Sequence, residues 1–81
     1  MFMEKSKYNE NIKYIICQNV KKYRKEKNIR LMELAEELGI STDHLKRIES
    51  ENGRNNISLM TLYKISVLLD VSIENFFKEG K

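Results

Sequence analysis

Within six positions, Thr42, Asp43, His44, Lys46 and Arg47 gather a hydroxyl, a carboxylate, an imidazole and two cations. Two kinds of chemistry use such a set. Acid–base or nucleophilic catalysis needs a nucleophile and a proton acceptor held together in a pocket. His44 is the only histidine and Cys17 the only cysteine, and no pattern in the sequence sets a catalytic partner beside either, so no enzymatic activity is expected. One histidine and one cysteine also fall short of the four ligands of a structural zinc site. No metal, cofactor or small-molecule ligand is expected. The other chemistry is recognition. A short helix with these groups on its outer face presents donors and acceptors to base edges in the major groove of duplex DNA.

That reading depends on what holds the helix. Leu45 and Ile48 lie three apart on one face and pin it to a core, which turns Thr42, Asp43, His44, Lys46 and Arg47 outward. Ser41 supplies an N-cap hydroxyl, and Asp43 stands in the first turn, where an acid favours the helix dipole. Ahead of it, residues 31–38 form a helix with Leu34, Ala35 and Leu38 inward. Two short helices that cross steeply need a small side chain at their closest approach, here Ala35. The turn between them needs a residue that accepts positive φ, here Gly39. The spacing predicts a helix-turn-helix at residues 31–50.

The remaining elements are helical too. Ile12, Ile16, Val20 and Tyr23 make one stripe of a helix over about residues 11–27, with Ile15 beside it and Cys17 a small packed thiol. Asn28-Ile29-Arg30 is a turn, and residues 52–56 are a loop. Ser58 caps a fourth helix, 59–69, with Leu59, Leu62, Ile65 and Leu69 on one face. Ser72 caps a fifth, 73–78, carrying Ile73, Phe76 and Phe77. With no proline, three glycines and no apolar alternation, the expected fold is all-α with five helices. Residues 1–10 read as a flexible N-terminal segment and residues 11–78 as one domain around one core, the limit for 81 residues. Adjacent residues on a helix point about 100° apart, so one short helix cannot bury both Phe76 and Phe77. One of them, with Leu68 and Ile73, is expected at a dimer interface.

Charge gives the class of partner. Residues 13–30 carry seven basic side chains against the single acid Glu26, a bias that suits a polyanion, although a solvated helix face is the plainer account of a lysine run. The lone cysteine rules out an internal disulfide and fits a reducing cytoplasm. No apolar run is long enough for a signal peptide or a membrane span, so no membrane partner is expected.

Four stretches, Val20–Lys27, Glu33–Ser41, Arg47-Ile48-Glu49, and Ser58-Leu59 through Val71-Ser72-Ile73, resemble the lambda-repressor-like (Xre/Cro) family of helix-turn-helix regulators. The resemblance implies a five-helix domain, dimeric on DNA, with helix 3 in the major groove. It implies base reading by Thr42, Asp43, His44 and Lys46. Phosphate contacts fall on Arg47, on Arg54 and Asn55 in the loop, and on Ser58, where a helix N-terminus presents free N–H groups to anions. It also implies an ion pair between Arg24 and Glu49. Three departures stand out. Arg30 and Leu31 occupy positions where the family commonly has Ser then Gln, so a cap is missing and Arg30 serves as a plain cation towards phosphate. The loop after Glu49 is about two residues longer than usual. Asn56-Ile57 replaces a frequent proline.

The expected function is a sequence-specific double-stranded DNA-binding transcriptional regulator: a homodimeric repressor, or a regulator of the restriction–modification controller type, on a near-palindromic operator. The run Arg54–Leu59 and the small size lean towards a controller. The alternative is an antitoxin-like protein-interaction module with weak or no DNA binding. Arg30, Leu31 and Asp43 favour it, and the cations of helix 1 and the loop oppose it.

Overall fold

In a computed structural model, the structure describes residues 11–50 and 57–79. Arg54 and Asn55, and the segment 1–10, lie outside the described residues. The elements in chain order are α1 (Ile12–Glu26), α2 (Leu31–Leu38), α3 (Thr42–Ile48), α4 (Leu59–Leu69) and a 3-10 segment, Ile73–Phe77. No strand occurs among the described residues.

Each boundary follows from local chemistry. α1 ends where Asn28 turns left-handed at φ 59°, a conformation asparagine tolerates better than most residues. α2 lacks a side-chain acceptor at its N-cap, since Arg30 has only donors. Glu33 compensates by accepting the Arg30 backbone N–H at 2.9 Å, which is half of a capping box. Gly39 closes α2 at φ 74°, its N–H returning to the Glu36 carbonyl. A methyl group there would meet nothing within 4 Å, so it is the backbone angle that requires glycine. Ser41 Oγ caps α3 by accepting the His44 N–H at 3.0 Å, and Ser58 Oγ caps α4 by accepting from Thr61 N–H at 3.0 Å. α4 ends on a left-handed Asp70 at φ 57°, directly after Leu69, where the sequence reading also ends the helix; aspartate is a less usual occupant of that conformation than glycine.

The core joins all five elements: Ile16, Cys17 and Val20 of α1, Leu34, Ala35 and Leu38 of α2, Leu45 and Ile48 of α3, Leu62, Ile65 and Leu69 of α4, and Phe76. α1 packs on the 3-10 segment, and α2 on both α3 and α4. Burial pushes the Cys17 thiol above its ordinary 9.0, with Lys13 opposing in part.

Two expectations need correction. The fifth helix is a five-residue 3-10 segment, so the described residues hold four α-helices. What holds the segment is Asn19, buried on α1, whose Nδ2 donates to the carbonyls of Phe76 (2.8 Å) and Lys78 (2.7 Å). Capturing two carbonyls by a side chain satisfies the segment's end without α-helical hydrogen bonds. Leu59 is not a core residue. It is 75% exposed, because the apolar buried face of α4 is centred on Leu62, Ile65 and Leu69, and Leu59 falls about 60° to 120° away from each of these three positions.

Candidate nucleic-acid interface

α3 is seven residues long and anchored along one side. Leu45 and Ile48 are fully buried, and Glu49 just beyond the helix is 5% exposed. Arg24 of α1 fixes Glu49 with two hydrogen bonds, Nε to Oε2 at 2.7 Å and Nη2 to Oε1 at 3.0 Å. Its third nitrogen, Nη1, donates to the Ile29 carbonyl at 2.8 Å. One guanidinium therefore ties α1 to the end of α3 and to the turn before α2. Gln18, one face further round α1, adds hydrogen bonds from Nε2 to the carbonyls of Glu49 (3.4 Å) and Ser50 (3.2 Å). No buried side-chain polar atom among the described residues lacks a partner.

The anchoring decides which groups face out. Thr42, Asp43, His44, Lys46 and Arg47 are all exposed. By helical geometry Asp43 and Arg47, one turn apart, form the crest opposite the buried side made by Leu45, Ile48 and Glu49. Thr42 and Lys46 take the flank leading round to Glu49, and His44 takes the other. Along the crest the Arg47 guanidinium meets the Asp43 carboxylate at 3.0 Å, with both side chains about two-thirds exposed or more. A short, exposed, capped helix whose outer face carries a hydroxyl, an imidazole and an ion-paired carboxylate is shaped to enter a groove and exchange hydrogen bonds there.

The order α2, Gly39 turn, α3 is a helix-turn-helix in geometry as well as in spacing, and the helix-turn-helix family matches residues 20–76 of the sequence. The chain belongs to this lambda-repressor-like helix-turn-helix family. It is similar to the HTH-type transcriptional regulator SinR of Bacillus licheniformis, 43% identical over 65 residues. That match takes in 80% of this chain but 58% of the relative, so the chain spans little more than half of that protein. Two solved structures are similar. One is SinR, described as the master regulator for biofilm formation, in complex with DNA, with a TM-score of 0.67 and 43% identity over 78% of this chain and 98% of that one. The other is the N-terminal DNA binding domain of SinR from Bacillus subtilis, with a TM-score of 0.69 and 42% identity, covering 82% and 94%.

Within this helix-turn-helix frame the expected site residues fall into three groups. Thr42, Asp43, His44, Lys46 and Arg47 share the outer face of α3. Lys46 does not stand on the crest but beside a cleft that α1 borders through Lys21 and Lys25. Arg30 and Ser58 are exposed at the N-termini of α2 and α4. The Ser58 hydroxyl is already engaged, accepting from Thr61 N–H and donating to Thr61 Oγ1 at 2.8 Å, so a phosphate at this end would meet backbone N–H groups rather than that oxygen. Arg54 and Asn55 lie outside the described residues.

The expected dimer residues divide. Phe76 is fully buried and stands edge-on to Tyr23 with ring centroids 5.3 Å apart. It is a core residue and cannot sit at an interface. Phe77 is 44% exposed and Leu68 38%, with Ile73 half-buried against the core. A broader apolar surface went unforeseen. Leu59, Met60, Tyr63 and Val67 are each more than half exposed, and successive positions of a helix place all four within about 100° of arc on α4. Sequence reasoning also missed Gln18 and Asn19, since an amide within a helix gives no signal of which carbonyl it will meet.

Proposed function

We propose that this chain is a sequence-specific, double-stranded DNA-binding regulator of transcription that reads the major groove with α3. The observation that carries the reading is the anchoring of α3. Leu45, Ile48 and the Arg24–Glu49 pair hold one side of the helix rigidly, which leaves Thr42, Asp43, His44, Lys46 and Arg47 outward. The SinR relative solved on DNA supports it, because the resemblance spans nearly all of that chain. Thr42, Asp43 and His44 are the base readers, with Lys46 at the margin of the same surface. Arg47, Arg30, Arg54, Asn55 and the N-terminus of α4 at Ser58 hold phosphates and set the register. The setting is the cytoplasm, where the single thiol stays reduced.

The functional unit on DNA is a two-fold homodimer on a near-palindromic operator, in keeping with the way such domains meet two half-sites about one turn apart. Its interface is built from Leu68, Ile73 and Phe77, without Phe76. Occupation of an operator by this dimer represses transcription by occlusion. Selection of bound sequences from a random duplex pool tests the reading. Enrichment of one motif with mirrored halves is the expected result. Recovery of no motif, together with no salt-dependent retention on duplex DNA, would favour the protein-interaction alternative.

A further inference from the structure

We propose that the cleft between α1 and the end of α3, bordered by Lys21, Lys25 and Lys46, is a second DNA contact that holds a backbone phosphate beside the reading helix. The proposal rests on the DNA-binding reading above and adds a site to it that lies on α1, outside the helix-turn-helix. Lys21 and Lys25 are one turn apart on the flank of α1 that also carries Gln18, which reaches the carbonyls of Glu49 and Ser50. That flank therefore faces the end of α3. Lys46 leans to the same side, and the three ammonium-bearing side chains line one open cleft with Leu31 and the Arg24–Glu49 pair.

The charge is unbalanced there. Among the described residues Glu49 is the only carboxylate lining the cleft, and its two oxygens are taken by Arg24. That pair cancels itself and leaves three lysines with no ion-pair partner among the described residues. Like charges one helical turn apart oppose helix formation, so the pair Lys21–Lys25 works against α1 unless an anion sits between them. A phosphate diester supplies one negative charge at the required size, and lysine serves such a group as a point charge. Because Lys46 belongs to both surfaces, a phosphate held in the cleft lies directly beside the bases that α3 faces. The cleft would thus fix how far along and how deep α3 sits in the groove without reading any base.

The test is a salt titration of the whole chain against its selected duplex and an unrelated duplex. It compares wild type with the double variant Lys21→Gln, Lys25→Gln and with Lys64→Gln, an exposed lysine of α4 that is not in the cleft. The double variant should melt no lower than wild type, since a repulsive pair is removed. It should lower the slope of log affinity against log salt by about one to two counterions, equally on both duplexes, so that their ratio of affinities is unchanged. Lys64→Gln should leave the slope as it is. A double variant whose slope matches wild type overturns the cleft while the DNA-binding reading stands. A changed ratio between the duplexes overturns it too, because the lysines would then be reading bases. Inorganic phosphate should displace the duplex no better than chloride at matched ionic strength. Saturable displacement would make a small free anion the ligand and overturn the proposal. If wild type shows no salt-dependent binding to either duplex, the function reading fails and the cleft falls with it.

Discussion

At the residue scale, the most consequential side chain is Arg24, whose guanidinium serves Glu49 twice and the Ile29 carbonyl once. Both members of the pair are at least nine-tenths buried. Removing one leaves the other as an uncompensated charge, so Glu49→Ala should cost roughly 3–5 kcal/mol in urea denaturation, while replacing both residues with apolar ones of similar size should cost much less. A shift no larger than that of an exposed control would show that the pair is not buried in solution. The Asp43–Arg47 pair is of another kind. Its side chains are 72% and 67% exposed, and such pairs contribute little to stability. Asp43→Asn should therefore leave the melting temperature nearly unchanged and strengthen binding to unrelated duplexes, since a negative charge facing phosphates is gone. Weaker binding would mean that Asp43 is needed to aim Arg47. Cys17 makes a third case. Its raised thiol pKa means that the folded state favours the neutral form, a contribution fully present below the ordinary value of 9.0 and lost as pH rises through the folded one. Cys17→Ala should be less stable than wild type at neutral pH, by loss of packing, yet lose less of its remaining stability on going to about pH 10. Equal losses would mean that the thiol does not contribute.

At the scale of elements, the sequence was legible wherever one side chain makes one demand. Gly39 announces a left-handed turn, Ser41 and Ser58 announce helix starts, and the three-residue spacing of Leu45 and Ile48 announces which face of α3 is buried. Since Gly39 has free space around it, Gly39→Ala should cost about 1–2 kcal/mol through backbone conformation alone, with no change in DNA preference once folded. The misses all came from pairwise geometry. The segment after Ser72 carries apolar residues that fit a helix, but Asn19 takes its terminal carbonyls and it settles as a 3-10 turn. Nothing in the spacing of Phe76 and Phe77 says which ring will pack on Tyr23. Asn19→Ala should strand both carbonyls, cost about 1–3 kcal/mol, and raise amide exchange over residues 73–78 ahead of global unfolding. Unchanged exchange there would mean that packing of Phe76 alone holds the segment. Likewise, Leu59 satisfies a helical stripe on paper and is exposed in fact, because the buried face of α4 is set by where α2 lies rather than by the stripe's own apolar count.

At the scale of the whole molecule, a net charge of +3 gives little field by itself, and the fold's contribution is to concentrate it. α1 and α3 bring Lys21, Lys25 and Lys46 to one cleft, and the crest of α3 carries a charge-neutral pair flanked by groups that can form hydrogen bonds. In the proposed function, affinity and reading fall to different parts of one surface, the first to cations that sense phosphate and the second to the hydroxyl of Thr42 and the imidazole of His44. That division is the central claim, and one comparison tests it most directly. The double variant Thr42→Ala, His44→Ala is titrated against the selected duplex and a scrambled duplex at several salt concentrations. Removing these outer groups of α3 should weaken the selected duplex by roughly 1–3 kcal/mol for each base no longer read, leave the scrambled duplex nearly unaffected, and leave the salt slope intact. An equal weakening on both duplexes, or none on either, would contradict the claim and show that residues 42–47 are not the part of this protein that reads DNA.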